Sequence, residues 1–179
     1  LVSSGGLGHE VSPLLRSMAV PGIGAVVAAA AHPGVVRAVA GLGPQGRNVA
    51  RALRPLADAG ARRAFLQTLR AVIDVRGQKV SAADRLYLLE SMPTLVVWGE
   101  RDRTIPIEHG RATHRAVPGS VFATLPKAAH FPHLEDPDGL ARVLDDFVAS
   151  TPAAHLDESD WHELVAPRSQ QRRRIRAVA

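Results

Sequence analysis

The stretch MPTLVVWGERD, residues 92–102, decides how the rest of the chain is read. Its apolar run of Thr94, Leu95, Val96, Val97 and Trp98 is rich in β-branched and aromatic side chains, which predicts a short strand buried on both faces. Gly99 ends the run and lets the chain turn sharply, so Asp102 falls just past the strand's carboxyl end. In open α/β sheets ligands bind at that edge, because the loops leaving the strand ends converge there while helices cover the faces. The unit then repeats. Residues 107–117 read as a helix stopped by Pro118 and Gly119, and residues 120–125 read as a second buried strand. His130, in KAAHFPH at 127–133, lies in the loop after it. Two successive strands of one parallel sheet therefore bring an acid and a base to the same edge, as two members of a hydrolytic triad require.

Trp98-Gly99-Glu100-Arg101-Asp102, with His130 followed by Glu135 and Pro137, resembles the carboxyl-terminal signature of the α/β-hydrolase family. The resemblance spans residues 1–150, strongly over 91–150, and Ala129 stands where members usually carry Gly. In that family the chain order is nucleophile, acid, histidine, with the nucleophile on a G-x-S-x-G elbow. The sequence contains no such elbow and no initiator Met, and LVSSGG at 1–6 resembles the strand that follows the nucleophile unit. The chain therefore reads as the carboxyl-terminal portion of an α/β-hydrolase parallel sheet with a helical cap insertion. The resemblance implies a strand end and loop at 1–8, a cap region at 9–80, the carboxyl-terminal core at 81–150 and a polar, basic tail at 151–179.

Along the cap region, Ser12 and Pro13 start a helix that Pro21, Gly22 and Gly24 interrupt, and 25–31 form a second helix. Weaker helices are expected at 35–42 and 48–56. Residues 61–74 give the clearest one, with Phe65, Leu69, Val72 and Ile73 at helical spacing. Ser81 and Asp84 suggest a capping box ahead of Leu86 and Leu89. The alternative to a cap is a helical bundle that only shields the sheet. Asp136 and Pro137 open a last long helix whose Leu140, Val143, Leu144, Phe147 and Val148 form one apolar stripe, and a short helix is expected at 159–165.

Hydrophobic residues make up 46% and charged residues 22% of the chain, which is ordinary globular usage and argues against wholesale disorder. The absence of cysteine excludes disulfides and thiolate metal sites and suits a reducing, cytoplasmic setting. The longest apolar tract, 25–31, is far below the roughly 20 residues of a membrane-spanning helix. The formal charge of +5 belongs to the tail: Arg168, Arg172, Arg173, Arg174 and Arg176 are five of the 22 basic residues, leaving 17 against 17 acidic ones. The tail has no aromatic residue for base stacking past Trp161 and reads as a solvated segment, so no nucleic acid partner is expected.

A serine nucleophile needs a base, and a neutral imidazole serves only if an acceptor on its other nitrogen fixes tautomer and orientation. Asp102 is the candidate acceptor and His130 the candidate base. His133 competes as base, and with Trp98 and Phe131 it is a candidate for lining the site. His109 and His114 are five apart and point away from one helical face, and no H-E-x-x-H occurs, so no metal and no cofactor is expected. Two functions remain open at this point. One is a fragment, inactive alone, of a hydrolase cleaving a small, fairly apolar ester or related bond with a Ser or Asp nucleophile. The other is a non-catalytic binding protein of the same fold.

Overall fold

The structure, a computed structural model, describes residues 1–165. The arginines at 168, 172, 173, 174 and 176 lie outside the described residues, and so does the expectation of a solvated basic tail.

Strand β1 (Leu95–Gly99) and strand β2 (Val121–Leu125) run parallel, with Val97 beside Ala123, and are joined through helix α6 (Ile107–Ala116). On the other side of β1 the first residues add a short third rung: Val2 bridges Val97 in parallel, Ser3 N–H donates to the Val97 carbonyl and Val97 N–H to that of Leu1. The sheet that the sequence predicts is thus present in the order 1–3, β1, β2. β1, hydrogen-bonded on both sides, is buried at all five positions. β2 is only partly covered, with Val121 47% exposed, so the expected second buried strand is half-exposed. It stands at the sheet's margin with β1 as its one partner among the described residues.

The pleat of β1 divides the core in two. Val96 and Trp98 face Leu7, Val11, Leu69, Ile73, Leu86, Ile105 and Val117. Leu95 and Val97 face the opposite way, onto Leu125, Ala128 and Leu140, where Val143 and Phe147 close the layer. The latter three side chains come from helix α8 (Pro137–Ser150), whose amino terminus is capped by Asp136 accepting from Gly139 N–H. The apolar stripe read in the sequence therefore covers the sheet. Each fully buried side chain of Val96, Val97 and Trp98 contributes on the order of 2 kcal/mol relative to exposure.

The segment before β1 is helical: α1 (Pro13–Met18), α2 (Gly24–Ala30), α3 (Pro33–Ala40), α4 (Gly43–Leu53), a 3-10 turn at Arg54–Ala57 and α5 (Ala59–Val72). The Ser12 hydroxyl caps α1 by accepting from Leu15 N–H, and Asp58 caps α5 by accepting from Ala61 N–H. These helices have a core of their own in Val27, Ala31, Leu56 and Leu66, joined to the sheet's core through Met18 and Phe65. The capping box expected at Ser81 does not form. The Ser81 hydroxyl accepts from Ala83 N–H, two residues on, and Ala82 N–H is held by the Gly6 carbonyl, so the chain tightens into a 3-10 helix at Ala83–Leu89. Among the described residues there are also two short helices, α7 (Pro132–Glu135) and α9 (Glu158–Val165). No helix is long and apolar enough to cross a membrane among the described residues.

Candidate active site

Asp102 sits on the turn that leaves β1. Its side chain is fully buried, and its Oδ1 accepts two backbone N–H groups, from Thr104 at 2.8 Å and Ile105 at 3.0 Å. Those two bonds fix the carboxylate plane and leave Oδ2 for another donor. That donor is His130, whose Nδ1 lies 3.0 Å from Oδ2. A carboxylate only accepts, so the shared proton resides on Nδ1 and the lone pair of the neutral imidazole is on Nε2. The imidazole is 23% exposed and can be reached by a reacting group.

Close approach of two backbones makes this pairing geometrically available. Gly99 keeps strand conformation, and its role is space: a Cβ there would strike the carbonyls of Ala128 and Ala129. The expected sharp turn does follow, closed by Asp102 N–H donating to the Gly99 carbonyl at 3.2 Å, but Gly99 is not among the positive-φ glycines, so the glycine is needed for space and not for the turn's dihedrals. Glu100 N–H donates to the Leu125 carbonyl and Arg101 N–H to that of Ala128, so the loops after the two strands are laced together. Trp98, a candidate for lining the site, is fully buried in the core; its indole N–H donates to the Ile105 carbonyl and braces the turn carrying Asp102.

His130 is held from its own side by Glu135. One carboxylate oxygen of Glu135 accepts the N–H groups of Ala129, at 2.6 Å, and Phe131, at 3.2 Å, which flank the histidine. The other accepts from the side-chain amide of Asn48 on α4, at 3.1 Å. Sequence reasoning gave Glu135 only as part of a signature and passed over Asn48, whose partner lies 87 positions away with no local signal. Phe131 stacks edgewise on His130, with ring centroids 5.0 Å apart, and on His133 at 6.1 Å. His133 is exposed on α7 and has no carboxylate partner among the described residues. His109 and His114 take separate partners, Glu10 and Ser120.

The sequence profile of the alpha/beta hydrolase family matches residues 2–143. The chain belongs to that family. Its fold class, a partial α/β-hydrolase sheet with helices, agrees with solved structures: an esterase from Thermogutta terrifontis superposes with a TM-score of 0.52 at 19% identity, covering 83% of this chain and 54% of that one. A 2-hydroxy-6-oxo-6-phenylhexa-2,4-dienoate hydrolase from Rhodococcus gives 0.52 at 15% identity, covering 84% and 54%. In sequence, an uncharacterised protein of Mycobacterium tuberculosis is 34% identical over 92% of this chain and 52% of its own length. A pimeloyl-[acyl-carrier protein] methyl ester esterase of Neisseria meningitidis is 34% identical over 46% of this chain and 26% of its own length. The chain spans about half the length of the M. tuberculosis relative, at 52%.

Proposed function

We propose that Asp102 and His130 are the acid and base of a Ser-His-Asp or Asp-His-Asp triad, its nucleophile supplied from outside these 179 residues. The complete protein would then cleave a small, fairly apolar ester or a related bond in the cytoplasm. The carrying observation is the 3.0 Å contact from His130 Nδ1 to a buried carboxylate that two backbone N–H groups already orient. With the proton on Nδ1, Nε2 takes the proton of a serine hydroxyl as it attacks, and Asp102 stabilises the imidazolium that forms. With an aspartate nucleophile, the same Nε2 activates the water that releases the product. Phe131 packs edge-on against His130 and His133 against Phe131, and both are assigned to the wall of the site. The helices from α1 to α5 are assigned as a cap over the site, a reading supported by the bond from Asn48 to Glu135 beside the histidine loop.

The test uses a longer protein that contains this chain together with its upstream segment, assayed on short p-nitrophenyl esters. His130→Ala is expected to abolish turnover while His133→Ala leaves most of it. The 179-residue chain alone is expected to be inactive, because its sequence contains no G-x-S-x-G nucleophile elbow. A longer protein that binds these esters but turns none over would favour a non-catalytic role and overturn the proposal.

A further inference from the structure

A concavity lies among the helices before β1, and it does not rest on the Asp102–His130 pair. Helix α3 presents Pro33, Val36, Arg37 and Ala40 at spacings of three and four, which is one helical face. Across from it, α4 and the following 3-10 turn present Arg47, Ala50, Arg51 and Arg54 at the same spacing. In a pair of adjoining helices such facing stripes ordinarily carry large apolar side chains that interlock. Here the positions hold alanine, proline, one valine and four arginines, and a concavity of about 560 Å³ remains between them. That volume lies in the range of small-molecule sites, roughly 300–1,000 Å³. Ala31 and Ala50, at its base, are buried at 1% and 6% exposure, so the floor is apolar and firmly packed.

The rim carries charge of one sign. The side chains of Arg37, Arg47, Arg51 and Arg54 make no hydrogen bond or ion pair among the described residues. From residue 11 to residue 57 the sequence contains no aspartate or glutamate at all. The acids nearest in sequence are already engaged: Glu10 with His109, and Asp58 in capping α5. Glu135, the acid bonded to α4, accepts from Asn48 and the histidine loop. Four guanidinium groups thus line an apolar floor with no ion-pair partner among the described residues.

We infer that this concavity binds a small amphipathic anion, its apolar body against Val36, Ala40 and Ala50 and its carboxylate or phosphate head against the arginines of the rim. An inorganic anion would use only the rim and a neutral lipid only the floor; the two together select a molecule having both. Guanidinium groups suit this task because their planar forks donate two parallel hydrogen bonds to a carboxylate or phosphate.

The test titrates the 179-residue chain with octanoate, 1-octanol, acetate and inorganic phosphate, following backbone amides by NMR. Octanoate is expected to shift the amides of Val36, Ala40 and Ala50 and to bind at least about tenfold more tightly than any of the other three, since it alone engages both floor and rim. Arg47→Gln with Arg51→Gln should weaken octanoate about tenfold, as loss of one to two charge-assisted contacts implies. The independent pair Arg37→Gln with Arg54→Gln should act likewise. All four side chains are exposed, so far-UV circular dichroism should remain unchanged. Equal binding of 1-octanol, equal binding of phosphate, shifts confined to other residues, or indifference to both double substitutions would each overturn the assignment. A hexaglutamate peptide that displaced octanoate and bound more tightly would assign the rim to an acidic protein surface instead, and would overturn it too.

Discussion

Gly99 and Ala129 meet where the end of β1 passes under the histidine loop, so closely that any side chain on Gly99 would strike the Ala129 carbonyl. Neither backbone can withdraw cheaply, since Gly99 pairs with Leu125 in the sheet and Ala129 N–H is bonded to Glu135. Gly99→Ala is therefore expected to destabilise the chain by about 1–3 kcal/mol, as overpacking does. It should also displace His130 from Asp102. Gly24→Ala is the matched control: its nearest neighbour is the flexible end of Leu66 at 3.7 Å, and the position is helical. That change should be neutral or stabilising by up to about 1 kcal/mol. Urea melts of the two variants check the contrast, and equal midpoints would remove Gly99's assigned role.

Glu135 ties the histidine loop down at two amides and ties that loop to α4 at a third contact. Glu135→Ala should leave the Ala129 and Phe131 N–H groups without their acceptor, destabilising the chain by about 1.5–3 kcal/mol. Hydrogen exchange at those two amides should accelerate more than the global loss of stability explains. Asn48→Ala removes only the link to α4 and should leave both amides protected. If both variants loosen the loop equally, its restraint comes from α4 and not from the local carboxylate.

These contacts mark the limit of what the sequence discloses. The strand at β1, the helix and strand after it, and the placing of Asp102 and His130 at one sheet edge were legible, because burial on both faces leaves an unbroken apolar run and proline and glycine mark the stops. The half-exposure of β2 was not legible, since Val121, Phe122 and Leu125 are as apolar as a buried strand while strand order decides which lies at the margin. The 3-10 helix at Ala83–Leu89 replaced an expected cap because the Gly6 carbonyl, far away in sequence, claims Ala82 N–H. Likewise the void between α3 and α4 depends on small residues meeting across two helices, which no single helix announces.

Acid should weaken the attachment of the first loop to α6. His109 is buried with no partner for Nδ1 among the described residues, so Nδ1 is best a lone pair, and Nε2–H donates to the Glu10 carboxylate at 2.7 Å. That hydrogen bond, foremost, holds the Glu10 carboxyl below its usual range. A depressed carboxyl pKa contributes stability that is present above the unfolded-state value and is lost as pH falls through the folded-state value. Stability measured by thermal melts should therefore decline on the acid side, and Glu10→Gln should lower the neutral-pH midpoint and flatten part of that decline, so that the two proteins converge at low pH. An identical acid limb in the variant would show that the pair carries no linkage.

Replacing Asp102 by asparagine tests the proposed dyad at the level of single protons. The N–H groups of Thr104 and Ile105 demand an acceptor, so the new amide should turn its oxygen toward them and its NH2 toward His130 Nδ1. Facing a donor, Nδ1 must give up its hydrogen, and the imidazole is driven to the tautomer with the proton on Nε2. That form cannot take a proton from a nucleophile. In the 179-residue chain the switch is readable directly, as an exchange of the Nδ1 and Nε2 nitrogen shifts of His130 between the two positions characteristic of protonated and unprotonated ring nitrogen. In a longer, active protein the same substitution should lower kcat by roughly 10⁴ with little change in KM, by analogy with other serine hydrolases. His130→Ala on that background should add little, because the two residues act as a unit. Retention of the Nδ1–H tautomer in Asp102→Asn would show that the carboxylate does not set the histidine's proton, and full activity in the longer protein would remove Asp102 from the mechanism.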